Sequence, residues 1–243
     1  MKKTEGFNFT EGELLLFDKP LYWTSFDLVH KVRNLVKKHT GEKKIKVGHA
    51  GTLDPMATGL MIICTGKFTK KINDLTIIDK SYIATLRLGQ TTPSFDRESE
   101  VDAEYPTAHI TEELILSVLA QFKGESQQVP PLFSAKSING VRAYELAREG
   151  HTDIVLKAVT INIPDIQLIS YANNELVISV SCTKGTYIRS LARDIGLALK
   201  SGAYLVGLHR TVAGNFKINN AYSYKEFQEI LASLQPISEN TVL

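Results

Sequence analysis

The 243-residue sequence has little cysteine and no long hydrophobic run. Cys64 and Cys182 lie in separate apolar segments, without a Cys-x-x-Cys pair or a histidine cluster, which argues against a disulfide framework and a cysteine metal site. No apolar stretch approaches the roughly 20 residues that cross a bilayer, and no apolar signal region follows Lys2 and Lys3. We therefore expect a cytoplasmic protein with reduced, buried thiols, no bound metal and no membrane association.

The glycine-rich segment from Lys46 to Lys70 also lacks two phosphate-binding patterns. It has no Gly-Lys-Ser/Thr at P-loop spacing and no Gly-x-Gly-x-x-Gly, so a nucleotide cofactor is disfavoured. It does contain His49 and the step from Asp54 to Pro55. Asp-Pro can form a rigid turn that aims one carboxylate outward, or Asp54 can cap a short helix, which is the commoner local role. A lone histidine such as His49 is more often structural than catalytic.

Basic residues are unevenly distributed, although the net charge is only +2. Residues 30–80 contain eleven Lys and Arg against four Asp and Glu, and residues 181–217 contain six against one. Residues 81–130 have the opposite balance, three against eight. A basic run is often only a solvated helix face, but two of them beside glycine-rich and polar motifs favour a polyanion held through its phosphates.

Hydrophobic periodicity predicts one α+β domain around a largely antiparallel central sheet with flanking helices. Asn173 and Asn174 predict the turn of a hairpin. The predicted helices are 24–38, 111–122, 144–148, 186–200 and 224–231, and the predicted strands are 13–17, 60–64, 81–88, 159–170, 175–181 and 204–211.

The run G-H-A-G-T-L-D-P-M-A-T-G-L from Gly48 resembles the catalytic-loop signature G-H-x-G-x-L-D-P-x-A-x-G of the TruB-type tRNA pseudouridine-55 synthases. The resemblance continues in the family's order from Gly12 to about Phe216, and it includes K-S-Y-I-A-T-L-R-L-G from Lys80 and C-T-K-G-T-Y-I-R-S from Cys182. It implies the pseudouridine synthase fold. It also implies isomerisation of uridine 55 in the T loop of tRNA by base flipping, a reaction that needs no cofactor.

The resemblance assigns a role to each matching residue. Asp54 is the carboxylate that acts on the sugar, Arg189 pairs with it, and Tyr82 stacks on the flipped uracil. His49 fills the space that flipped nucleotides vacate, and Leu208 packs around the base. Without the resemblance, Arg189 reads as an arginine at the edge of an amphipathic helix and Tyr82 as core.

Three lysines, Lys19, Lys70 and Lys184, are candidates for RNA-backbone contacts, and a solvated side chain is the alternative for each. The chain departs from the family pattern at several positions, including a displaced lysine at Lys136. The family has glycine at the positions of Tyr22 and Ser99 and threonine at that of Ser94.

Roughly 27 residues follow Phe216, too few for the RNA-binding PUA domain that many relatives carry. We therefore expect a single catalytic domain over residues 1–243. Its expected partner is the T stem-loop of tRNA, with no obligate protein partner.

Three other functions share part of the pattern. A non-catalytic tRNA-binding or folding module would have the basic segments but would not need Asp54, Tyr82 and Arg189 together. A nucleoside glycosylase would also flip a base, but carboxylate-driven hydrolysis commonly uses two carboxylates, and no second one stands near Asp54 in a motif. A pseudouridine synthase for another RNA shares all of the chemistry.

Overall fold

The computed structural model describes residues 2–134, 137–138, 140–143, 145, 149, 154 and 156–234. Its contacts divide the chain into two compact units, residues 1–80 with 209–243 and residues 81–208. The helix predicted over 144–148 falls outside the described residues, apart from Glu145. None of the helices in the described ranges is long and apolar enough to cross a membrane.

Strands and helices follow one another without a regular βαβ alternation, as the sequence predicts, and the fold is α+β. The strands are β1 Leu14–Lys19, β2 Val47–Ala50, β3 Ala57–Thr65, β4 Lys80–Leu88, β5 Gln90–Thr91, β6 Ala103–Glu104, β7 Gly124–Gln128, β8 Ser137–Ile138, β9 Val141–Arg142, β10 Val159–Ile163, β11 Asp165–Ala172, β12 Glu175–Cys182, β13 Ala203–Ala213 and β14 Phe216–Lys217. The α-helices are α1 Ser25–Thr40, α2 Ile72–Thr76, α3 Glu112–Gln121, α4 Ile188–Ala198 and α5 Tyr224–Ser233, and 3-10 helices cover Gly66–Lys71 and Ile218–Asn220.

In the first unit, β3 lies at the centre of a sheet. It pairs antiparallel with β1, from Leu14 opposite Cys64 to Lys19 opposite Gly59, and also with β2. The C-terminal part of β13 follows β3 in strand order. Gly59 is required there, because a Cβ at this position would lie 2.4 Å from the Arg210 carbonyl oxygen.

Helix α1 shows how the sequence positions the elements around this sheet. Thr24 caps it with a capping box that involves Asp27, and Gly41 ends it in the left-handed conformation. Its apolar face supplies Leu28 and Val32 to a core that also contains aromatic residues of β1 and α5. The predicted start and apolar face of α1 are both correct.

In the second unit, the strand order is β13, β4, β12 and β11. The predicted hairpin between β11 and β12 is present, with Asn173 and Asn174 both at positive φ. The single strand predicted over 159–170 is wrong, because Pro164 separates β10 from β11 and β10 pairs with β7 instead. Proline lacks the N–H that would continue the ladder.

Candidate active site

The Asp54 loop connects β2 to β3 and presents the carboxylate on a tight turn. The Asp54 carbonyl accepts a hydrogen bond from the Ala57 N–H at 3.0 Å, with Pro55 at the second position of the turn. Strand β3 begins at Ala57, so the alternative in which Asp54 caps a helix is wrong. Asp54 is half-buried.

Two contacts anchor this loop to the start of α1. The Ser25 hydroxyl donates to the Leu53 carbonyl at 2.8 Å and accepts from the Leu53 N–H at 2.9 Å. The Tyr22 N–H donates to the Pro55 carbonyl at 2.9 Å. Tyr22 has φ +68°, which explains why the family pattern has glycine at this position. The D-K-P-L-Y-W-T-S motif thus contributes to holding the Asp54 loop in place.

Lys19 is a buried cation beside this loop. Its side chain has no exposed surface, and its Nζ donates to the carbonyls of Pro20 at 2.9 Å and Trp23 at 2.6 Å. Burial lowers the pKa of Lys19 to about 8, and the negative charge of Asp54 is the largest opposing effect. Backbone carbonyls, rather than water, solvate the ammonium in this position. The predicted contact of Lys19 with the RNA backbone stays a prediction.

Arg210 is a second buried cation in the first unit, and it was not predicted. It is 1% exposed, and it donates from Nε to the Leu60 carbonyl at 2.6 Å and from Nη2 to the Gly51 carbonyl at 3.0 Å. The guanidinium therefore fixes the first residue after β2. The sequence signal that could have predicted a buried arginine is the position of Arg210 within the apolar segment around L-H-R-T-V-A-G.

His49 lies at the end of β2 with its ring half-buried. Among the described residues, its buried Nδ1 has no hydrogen-bond partner. Burial, and then the charge of Arg210, lower the pKa of His49, which favours a neutral ring at neutral pH. Such a ring suits a shape-filling role better than that of a hydrogen-bonded structural imidazole.

In the second unit, Arg189 lies in the first turn of α4 and is 7% exposed. Its Nη2 donates to the Phe133 carbonyl at 2.8 Å, and its Nη1 lies 3.5 Å from Asp96 Oδ2 and 3.4 Å from the Ser94 carbonyl. The side chain is buried in this network, so the helix-edge interpretation is wrong. Its pairing with Asp54 stays a prediction.

The two family departures Ser94 and Ser99 lie in the same network. Their hydroxyl oxygens are 2.6 Å apart, and the Ser94 hydroxyl also donates to Asp96 Oδ1 at 2.6 Å. Asp96 additionally accepts from the Glu98 N–H at 2.9 Å. The unusual serines therefore help to hold the carboxylate that contacts Arg189.

The remaining predicted site residues divide by exposure. Tyr82 is 8% exposed on the buried face of β4, and Leu208 is half-buried on β13. Lys70 and Lys184 are exposed, so phosphate contact and simple solvation both fit them. No group of three or more potential metal ligands occurs among the residues that the structure describes.

The Asp54 loop and the motif order correspond to a known family. The model of the TruB family pseudouridylate synthases, N-terminal domain, matches residues 37–188. This chain belongs to the TruB family. It is therefore a pseudouridine synthase, an isomerase, and the family and enzyme class predicted from the sequence are confirmed.

Two TruB-family relatives illustrate the similarity. A Phocaeicola vulgatus protein named tRNA pseudouridine synthase B is 57% identical over 224 residues, which cover 92% of this chain and 95% of the relative. A Parabacteroides distasonis protein of the same name is 54% identical with the same coverage.

A solved structure supports the fold. A chain in the crystal structure of a Cbf5-Nop10-Gar1 complex matches with a TM-score of 0.70 and 26% identity, over 91% of this chain. The match spans 54% of that solved chain, about half its length. The predicted pseudouridine synthase fold is confirmed.

Proposed function

We propose that this TruB-family chain isomerises uridine 55 in the T loop of tRNA to pseudouridine. The observation that carries the proposal is the anchored Asp54 turn within the family's catalytic motif. Support for tRNA as the substrate comes from relatives that share more than half of their residues with this chain and are named for that RNA.

The reaction breaks the bond between C1′ and N1 of uridine, turns the uracil and joins C5 to C1′. The proton on C5 leaves and N1 gains one, so the product is an isomer and no redox cofactor is consumed. Positive charge develops on the sugar as the bond breaks, and an ionised carboxylate beside it can add to C1′, stabilise the charge or remove a sugar proton. Asp54 is the residue proposed for this work.

The other residues act on the flipped nucleotide in this proposal. Tyr82 stacks on the uracil, Leu208 packs around it, and the neutral ring of His49 fills the space that it leaves. Arg189 is proposed to pair with Asp54 through its forked guanidinium, which stays charged in a closed pocket. Lys70 and Lys184 are proposed phosphate contacts.

Burial of both cysteines is consistent with a reducing compartment. Cys64 and Cys182 are free and buried, and burial raises the pKa of Cys64 to about 11, which keeps it a thiol. We therefore propose action in the cytoplasm, by one catalytic domain without an obligate protein partner.

Incubation of the purified chain with an unmodified tRNA transcript tests the function. Carbodiimide labelling and primer extension should map one pseudouridine, at position 55, and a transcript with cytidine at that position should give none. Release of free uracil would indicate a glycosylase, unchanged RNA a binding module, and a modification elsewhere another RNA specificity.

The predicted T stem-loop partner has its own test. Because the proposed contacts surround the flipped base, an isolated T-arm stem-loop should be modified at a rate close to that of the full tRNA. A large loss on the stem-loop would show that recognition depends on other parts of the tRNA.

A further inference from the structure

A cleft of about 600 Å³ in the first unit is lined by five basic side chains. We refer to it as the polybasic cleft, and its basic residues are Arg33, Lys37, Lys43, Lys44 and Lys46. Arg33 and Lys37 come from α1, and the three other lysines come from the segment that connects α1 to β2. No acidic residue lines the cleft in the part of the chain that the structure describes.

The cations of the polybasic cleft differ from Lys31 and Lys67 of the same unit, each of which has a compensating group. Lys31 lies 4.8 Å from the ring of Trp23, and Lys67 forms an ion pair with Glu11 at 2.7 Å. Within the described residues, none of the five cleft cations is paired with a carboxylate or an aromatic ring. Gathering like charges without partners raises their mutual repulsion, which a bound polyanion relieves.

Specific contacts hold the walls of the polybasic cleft in place. Arg33 is half-buried, and its Nη2 donates to the Val47 carbonyl at 2.9 Å, so its charge is held at the start of β2. Gly48 brings β2 close to α2, because a Cβ there would lie 2.7 Å from Ile72 Cδ1. Lys43, Lys44 and Lys46 are exposed at the rim.

Strand β2 connects the polybasic cleft to the Asp54 loop. Val47 and Gly48 line the cleft, and Ala50, at the other end of this strand, directly precedes the loop. Four strand residues span roughly 10 Å, so a bound strand of nucleic acid can reach from the cleft to the loop. Thr69 also lines the cleft, which places the proposed phosphate contact Lys70 on a bordering segment.

We propose that the polybasic cleft binds the phosphodiester backbone of the RNA substrate. This inference rests on the proposed function for the identity of the polyanion, and it assigns a binding site outside the catalytic motifs. An RNA backbone fits better than a small anion, because the charges extend from α1 along the connecting segment up to the start of β2, and the three lysines of that segment are exposed.

The test compares variants of the full chain in their affinity for a labelled, unmodified tRNA transcript, measured by fluorescence anisotropy between about 50 and 200 mM salt. The triple variant Lys43→Gln, Lys44→Gln, Lys46→Gln should bind on the order of tenfold or more weakly. Its plot of log affinity against log salt should be shallower by about two units, since each lost phosphate contact removes roughly 0.7 to 0.9. The triple Lys→Arg variant keeps the charges and should bind like the wild type.

A matched control removes the same charge elsewhere. Its three lysines are each paired with a carboxylate and do not line the cleft, so the control lowers the net charge without changing the cleft. The affinity of this control variant for tRNA should fall less than about threefold. They are Lys67 with Glu11, Lys123 with Asp165, and Lys225 with Glu229, each changed to Gln.

Equal losses in the control and the cleft variant, or unchanged affinity and salt slope in the cleft variant, would overturn the proposal. The second result would also be expected if the cleft served an acidic protein or a free nucleotide. Pseudouridine formation by the wild type is measured separately. A wild type that binds tRNA but does not modify it would refute the proposed function. The affinities of the variants test separately whether the cleft binds the RNA backbone.

Discussion

One buried cation lies beside the Asp54 loop and another lies in the Arg189 network, and the two are stabilised differently. In the first unit, Lys19 donates both of its described hydrogen bonds to backbone carbonyls. In the second unit, Arg189 combines a carbonyl contact with the carboxylate of Asp96 at 3.5 Å. Carbonyl dipoles solvate a charge without cancelling it, so the Lys19 field still acts on Asp54, whereas Asp96 orients the guanidinium and offsets part of its charge.

This difference suggests two separate means of preparing a site for a carboxylate. In the first region the charge of Lys19 acts on Asp54, and the second region holds a forked donor in a set orientation. If the two regions differ in this way, removing the Asp54 charge and changing the shape of the Arg189 side chain should have different effects on turnover.

The largest effect is expected for Asp54→Asn, which removes the negative charge on which the Lys19 ammonium acts. Turnover should fall more than about a thousandfold, because no other carboxylate in the family motif can replace it. Affinity for tRNA should stay within a few-fold, since it depends on many phosphate contacts. Single-turnover pseudouridine formation and anisotropy measure the two quantities. Asp74→Asn, at an exposed position on α2, is the control, and substantial turnover of Asp54→Asn would remove Asp54 from the catalytic role.

Arg189→Lys tests whether orientation matters in the second region. An ammonium keeps the charge but cannot reproduce the forked contacts to Phe133 and Asp96, so turnover should fall on the order of a hundredfold. The control is Arg193→Lys on the same helix, where the guanidinium stacks 4.9 Å from the Phe95 ring. Thermal melting separates misfolding from lost function. Near-normal turnover of a folded Arg189→Lys would mean that charge alone suffices.

Tyr82→Phe tests whether the Tyr82 hydroxyl, on β4, takes part in the chemistry. The ring is retained, so stacking should survive, while loss of the hydroxyl should slow single turnover about tenfold. Tyr82→Ala should lose both and should also destabilise the protein, because Tyr82 is buried. Tyr105→Phe, at an exposed position, is the comparison. If Tyr82→Phe turned over at the wild-type rate, the hydroxyl would have no part in the chemistry.

The smallest effect concerns the protonation of Lys19, the buried cation beside Asp54. Below pH 8 Lys19 is protonated in both the folded and the unfolded protein, but between about 8 and 10.5 the folded protein releases this proton first. The unfolded state then binds more protons, so the Lys19 contribution makes the free energy of unfolding rise with pH.

Relative to Lys19→Met, the wild type should therefore gain on the order of 2 kcal/mol as the pH rises from about 7.5 to 10. Urea unfolding at several pH values measures this difference, with the exposed Lys225→Met as the control. Parallel pH profiles for wild type and Lys19→Met would mean that burial does not lower this pKa.

Much of the fold could be predicted from local patterns. The helical spacing of Leu28, Val29 and Val32 and the cap at Thr24 locate α1, and alternation from Tyr82 locates β4. Pro164 was the signal that separates β10 from β11, yet the β-rich sequence on both sides of it obscured it. Strand β2 was not predicted, because four residues that include glycine and histidine have no clear periodicity.

Some residues of the candidate site could be predicted from the sequence and others could not. Asp54, Tyr82 and Arg189 were identified because they lie in long motifs, where residue identity and order carry the information. The role of Asp96 was missed, because a carboxylate in a polar loop does not show from sequence alone which cation it will meet.

By itself, the sequence determined the family and the α+β class and pointed to Asp54 as the candidate reactive carboxylate, since these depend on residue types and their spacing along the chain. Only the tertiary structure decided that Lys19 and Arg210 are buried cations, that Ser94 and Ser99 stabilise the Arg189 network, and that lysines between α1 and β2 line a cleft. The physical reason is that a charge takes its solvation, pKa and partners from groups brought to it in space. A lysine bonded to two carbonyls and a lysine in water are the same letter in the sequence.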